Sequence, residues 1–202
     1  MVAPFGMSAT PDSAGGDART MDTAIIEDLH SRLPDAASTL RAGARIAAGL
    51  RSGMVLTLSG ELGAGKTTAV RGMLQGLGWK GTVKSPSYAL VEHYFVSSLY
   101  FYHFDFYRFG DPDEWQHTGF AEYFRPDSIC VIEWPERVSR WLPMIDVEGH
   151  LEHAGTGRDL TLHAGTEAEP FILAQQPVSE SSLPRKAQEF AKASYHHLRK
   201  GA

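Results

Sequence analysis

"SGELGAGKTT", Ser59 to Thr68, follows the apolar run "MVLTL" and leads into "AVRGMLQGL". Gly60, Gly65, Lys66 and Thr67 fill the spacing G-x-x-x-x-G-K-[ST] of a P-loop. Each residue type has a task at a polyphosphate. Glycines let successive backbone N–H groups converge on an anion without Cβ clashes, and the following helix points its positive dipole end at it. Lys66 reaches the outer phosphates, and Thr67 offers its hydroxyl to Mg²⁺. The flanks supply the context that such a loop needs. Gly53 ends a preceding helix, Met54, Val55, Leu56 and Leu58 form a buried strand, and "TTAVRGMLQGL" forms a helix closed by Gly78.

Outward from the loop, "LPDAASTLRAGARIAAGLRSG" reads as a helix capped by Asp35 or Ser38, with Leu40, Ala44, Ala47 and Leu50 on one face. "TAIIEDLH" before it is a short first strand. Downstream, "GTVKSPSYALVEHYFVSSLYFYHFDFYRF" is rich in Val, Tyr and Phe and reads as strand, turn at "VSS", strand. A helix starts after Asp111-Pro112 and breaks at Gly119; the apolar strand "SICVIEW" and two further strands in "DVEGHLEH" and "RDLTLHA" follow. Residues 1–22, rich in Ala, Ser, Gly, Pro and Asp, read as a disordered leader, 23–165 as the P-loop domain and 166–202 as a C-terminal extension. The last part of that extension reads as a basic amphipathic helix. Ala187, Phe190, Ala191 and Leu198 share a side that Ser194 interrupts, and Arg185, Lys186, Lys192, Arg199 and Lys200 oppose the single Glu189.

Bulk properties narrow the function classes. With 202 residues, 43% hydrophobic and 21% charged, the chain is an ordinary globular protein with one domain as the natural expectation. The net charge is −5, so no global basic field advertises nucleic acid or membrane, and any RNA contact is local or made through a partner. Cys130 stands alone inside a strand, which excludes an internal disulfide, fits a reducing cytoplasm and reads as an inert core thiol. No apolar run is long enough to span a bilayer, and the first residues lack the pattern of a secretion signal; a soluble, cytoplasmic protein is expected. The spacing of His150, His153, His163, His196 and His197 matches no standard metal site, so Mg²⁺ is the only metal assigned.

A P-loop needs an acid for its metal at the end of a buried strand, and two are available. "ICVIE" delivers Glu133 after four apolar residues, and "YHFDFYR" delivers Asp105 close to Tyr107 and Arg108. One holds the metal through water while the other orients the attacking water or the γ-phosphate. Ser85, Pro86 and Ser87 lie where a γ-phosphate-sensing segment would order with ATP and relax after hydrolysis. Trp134, next to Glu133, divides between core packing and an interface.

Taken together, "SGELGAGKTT", "VKSPSYALVEHY", "YHFDFYRF", "FAEYF" and "IEWPER" resemble, in order and spacing, the TsaE (YjeE) family, from about Leu33 to His163. The resemblance implies a P-loop α/β core with a mixed sheet flanked by helices, binding ATP and Mg²⁺. It implies a small ATPase that acts with the TsaD and TsaB proteins. That group transfers threonylcarbamoyl, made separately by a synthase, to the adenosine beside the anticodon of certain tRNAs; contact with tRNA is then indirect, through the complex. Carried onto this chain, Gly63, Ala64, Gly65, Lys66, Thr67 and Thr68 surround the phosphates, with Lys66 as charge clamp and Thr67 as Mg²⁺ ligand. Glu133 becomes the metal-side acid and Asp105 positions water or the γ-phosphate. Thr39 and Arg158 border the nucleotide. The family more often has Thr where this chain has Ser87, and the C-terminal extension departs from its pattern. No arginine is obviously placed to neutralise a transition state, so slow turnover alone and stimulation by partners are expected. A small nucleoside or nucleotide kinase and a nucleotide-gated interaction module are the alternatives.

Overall fold

In the computed structural model, residues 28–110 and 114–165 are described. Both the leader and the C-terminal extension, and with it the basic helix expected there, lie outside them. The elements run β1 (Asp28–Leu33), α1 (Ala36–Gly49), β2 (Val55–Ser59), α2 (Lys66–Gly76), β3 (Val91–Val96), β4 (Leu99–Asp105), α3 (Glu114–Thr118), β5 (Ser128–Glu133), β6 (Val147–Ala154) and β7 (Gly157–Ala164). Short 3₁₀ turns occupy Phe120–Tyr123, Pro135–Arg137 and Ser139–Trp141.

The strands form one sheet in the order β1-β7-β6-β2-β5-β4-β3. Strands β6, β2, β5 and β4 run parallel, whereas β1 on β7, β7 on β6 and β3 on β4 are antiparallel. The sheet is therefore mixed, and the α/β class holds. Because β2, β4 and β5 are parallel neighbours, their C-terminal ends share one edge, where α/β folds place their ligands. The P-loop, Asp105 and Glu133 all emerge there.

Two apolar clusters fix the sheet from its two faces. Leu56 and Leu58 of β2, Phe101 of β4, and Ile129 and Val131 of β5 meet Ile46, Ala69, Val70 and Met73 of the two long helices. Their strand neighbours Val55, Tyr102, Phe104, Cys130 and Ile132 point to the other face and meet Phe106, Trp115 and Phe120. Alternation along each strand assigns these faces. By the same alternation Asp105 and Glu133 fall on the helix-covered face, beside the P-loop helix.

Helices α1 and α2 meet backbone to backbone. A Cβ on Gly43 would overlap the carbonyl oxygen of Ala69, and one on Gly72 that of Leu40. Asp35, not Ser38, is the N-cap of α1: its carboxylate accepts from the Ser38 N–H at 2.6 Å. The buried stripe of α1 includes Thr39, Gly43, Ile46 and Ala47, with Leu50 buried at its C-cap, while Leu40 and Ala44 are half-buried.

Two boundaries differ from the sequence expectation. The first strand, described from Asp28, runs on to Leu33, past the end of "TAIIEDLH" at His30, because its pairing with β7 continues to Arg158. Helix α1 stops at Gly49, so Gly53 does not end it; at φ +90° it turns the chain into β2 and donates to the Ser128 carbonyl at 2.7 Å. Gly78 does follow the end of α2 in a left-handed conformation, as a closing glycine should.

Candidate functional site

The loop after β2 is shaped by three glycines with positive φ: Gly60 at +124°, Gly63 at +80° and Gly65 at +109°. Gly60 has a second constraint, since a Cβ there would overlap the Leu151 carbonyl oxygen of β6. Helix α2 begins at Lys66, so its unpaired N–H groups face the loop. Ala64 is fully buried in the core and offers the site only its backbone. Above the loop lies a cleft of about 460 Å³, lined among others by Gly63, Gly65, Lys66, Thr67, Thr68 and both acids.

Lys66, Asp105 and Glu133 are 4%, 3% and 2% exposed, and buried charges of this kind need partners. The Lys66 ammonium donates to the Gly60 and Glu61 carbonyls at 2.6 and 2.8 Å and sits 3.9 Å from the centre of the Trp134 ring. Burial holds it below the ordinary lysine range, against the pull of the Glu133, Asp105 and Glu136 carboxylates. Thr67 donates its hydroxyl to Glu133 at 3.1 Å. Hydroxyl and carboxylate oxygens side by side are hard donors, so the pair fits Mg²⁺.

Asp105 pairs with Glu133 across β4 and β5, yet the two carboxylates have separate partners. One oxygen of Asp105 accepts from the Ser85 hydroxyl and the other from the Tyr107 N–H at 3.0 Å. Ser85 and Ser87 both line the cleft. Glu133 faces Thr67 with Oε2 and His103 with Oε1, the latter at 2.8 Å.

Thr39 and Arg158 come together as well, but elsewhere. Arg158 donates to the Thr39 hydroxyl at 2.8 Å, and both would crowd a Cβ on Gly65, at 3.2 and 3.4 Å. They brace the loop from behind and do not line the cleft. Three residues at the site have roles that sequence reading did not single out. His103 is fully buried against Glu133. Arg108, read from the sequence only as a neighbour of Asp105, lines the cleft with its guanidinium 4.5 Å from the Tyr88 ring centre. Trp134 adopts φ 60°, its ring packs at a tilt against Tyr107 with centroids 5.0 Å apart, and it lines the cleft. Among the described residues no group of three His, Cys, Asp or Glu side chains forms a metal cluster. No described helix is long and apolar enough to cross a membrane.

Known proteins resemble this chain in sequence and fold. The family model described as "Threonylcarbamoyl adenosine biosynthesis protein TsaE" matches residues 33–160. The chain is 43% identical over 146 residues to the tRNA threonylcarbamoyladenosine biosynthesis protein TsaE of Haemophilus influenzae, covering 70% of this chain and 92% of that one. It is 38% identical over 119 residues to the Bacillus subtilis protein of the same name, covering 58% and 74%. The crystal structure of Bacillus subtilis YdiB superposes with a TM-score of 0.63 at 30% identity, covering 74% of this chain and 94% of that one. A match that takes in the P-loop, both strand-end acids and the Thr39–Arg158 brace means that the chain belongs to the TsaE family.

Proposed function

We propose that this protein binds ATP with Mg²⁺ and hydrolyses it in the cytoplasm, and that it does so with the TsaD and TsaB proteins during threonylcarbamoyl transfer to tRNA. The observation that carries the reading is the convergence of Lys66, Thr67, Asp105 and Glu133 on one cleft. Lys66 clamps the outer phosphates. Thr67 and Glu133 would hold Mg²⁺, which when bound neutralises charge on the phosphate oxygens. Asp105, tied at both oxygens to the Ser85 and Tyr107 segment, positions the attacking water or the γ-phosphate. Gly63 to Thr68 surround the phosphates, and Thr39 and Arg158 act on the nucleotide from behind the loop, by holding Gly65 in place.

Partner dependence has its own support. Leu62 and Tyr88 flank the cleft at 65% and 84% exposure, which suits a surface that another protein covers. Turnover alone is expected to be slow and to rise at least about tenfold when a partner orders or completes the site. The test is ATP consumption at saturating Mg²⁺, measured for the protein alone, with nucleosides, and with TsaB and TsaD added. Equal turnover with and without the two proteins overturns the partner reading, and phosphate transfer to a nucleoside would make the protein a kinase.

A further inference from the structure

Glu133 divides its two oxygens between Thr67 and His103. His103 lies two residues before Asp105 on the same face of β4, is paired in register with Val131, and reaches diagonally to the next acid on β5. Its ring is 0% exposed. A carboxylate can only accept, so the ring nitrogen 2.8 Å from Oε1 is the one that carries the proton. The other nitrogen, Nδ1, is buried without a hydrogen-bond partner among the described residues. Leaving a polar atom so is a cost to the fold that a leucine or phenylalanine in the same space would avoid. What the histidine offers in return is one hydrogen bond, and it goes to Glu133.

We infer that His103 is a positioning residue for the metal site: its Nε2–H holds Oε1 of Glu133, which keeps Oε2 beside the Thr67 hydroxyl, where a divalent cation would be taken. The inference rests on Glu133 being the metal-side acid. Partners of this kind behind a ligating group typically set metal affinity by ten- to a hundredfold without touching the metal.

Calorimetry on the full chain with a non-hydrolysable ATP analogue, with and without Mg²⁺, tests this. His103→Leu should lower the Mg²⁺-supported affinity about tenfold or more and leave metal-free binding of the analogue unchanged. His103→Gln, whose amide N–H₂ reaches toward the Nε2 position, should keep most of it. In a Glu133→Gln background, His103→Leu should add little further loss. Ring ¹⁵N resonances of His103 in the wild-type chain should report the proton on Nε2 and should move on Glu133→Gln. A folded His103→Leu with full Mg²⁺ dependence, while Glu133→Gln loses it, overturns the role of His103 and leaves the metal acid standing. Equal losses with and without Mg²⁺ mean packing alone and overturn it too. If Glu133→Gln keeps full Mg²⁺ dependence, the metal-acid reading falls and the inference with it. Should His103→Leu not fold, the ring resonances decide: no movement on Glu133→Gln overturns the inference.

Discussion

Lys66 combines burial with a positive charge, and its ordinary pKa is depressed by that burial even with three carboxylates near. Among the described residues its direct hydrogen bonds go to two neutral carbonyls of the loop, and a polyphosphate is a much stronger partner than these. Lys66→Ala is expected to fold and to lose nucleotide affinity by about a hundredfold or more; titration calorimetry with MgATP checks it, and unchanged affinity removes the charge clamp from the mechanism. In the proposed mechanism the two acids act on different states. Glu133→Ala should weaken Mg²⁺-dependent binding, whereas Asp105→Ala should leave MgATP bound and slow hydrolysis by about a hundredfold or more, because orientation of a nucleophile matters only in the transition state. Binding isotherms and single-turnover rates separate them. At this scale the sequence was most informative. Lys66 and Thr67 stand in a local motif, and both acids end apolar runs. His103 was not legible, because its partner is distant along the chain and only the β4–β5 register brings the two together.

Among the elements, α1 and α2 set the accuracy of the loop. Gly72 sits in the interior of α2, and in an exposed helix its change to Ala would stabilise by about 1 kcal/mol. Here the new methyl would overlap backbone, the Leu40 carbonyl, which has no rotamer to yield with. Overpacking of that sort costs about 1–3 kcal/mol, so it outweighs the propensity gain. Gly72→Ala should therefore unfold at a lower temperature, by a few degrees, and bind MgATP more weakly, since α2 carries Lys66 and Thr67; a higher melting temperature would mean that the helices part without strain. Periodicity reveals small residues on a helix but not which helix they face, so this contact was hidden in the sequence. Likewise β2, α2 and β5 were legible from apolar runs and glycine punctuation, as was the turn at Ser97-Ser98, which has φ 51° and 67°. The end of β1 at Leu33 was not, because its partner strand lies at the other end of the domain.

For the molecule as a whole, the lone thiol gives a handle on stability. Burial pushes Cys130 from 9.0 up to about 12, opposed only by the Ser128 hydroxyl. A raised pKa means that the fold keeps the proton longer than the unfolded chain does. The stability this group contributes is thus whole below pH 9 and declines as pH rises through 9 to 12. Burial raises Tyr94 and Tyr102 in the same direction. Chemical denaturation between pH 8 and 11 should show a falling midpoint, and Cys130→Ala should remove up to about 1.4 kcal/mol per pH unit from that slope. An identical slope in the variant would mean that the thiolate is tolerated inside the fold. Finally, the pairing of β1 with β7 sets Asp28 opposite His163, and β6 starts beside the end of β7 with Val147 opposite Ala164. Since β6 runs parallel to β2, those strand ends lie at the pole opposite the loop. The chain thus enters and leaves its described domain at adjoining points, remote from the cleft. Such a domain is topologically almost a closed ring: joining Gly165 to Asp28 by a short linker would let the backbone be cut open elsewhere while every residue of the cleft kept its neighbours.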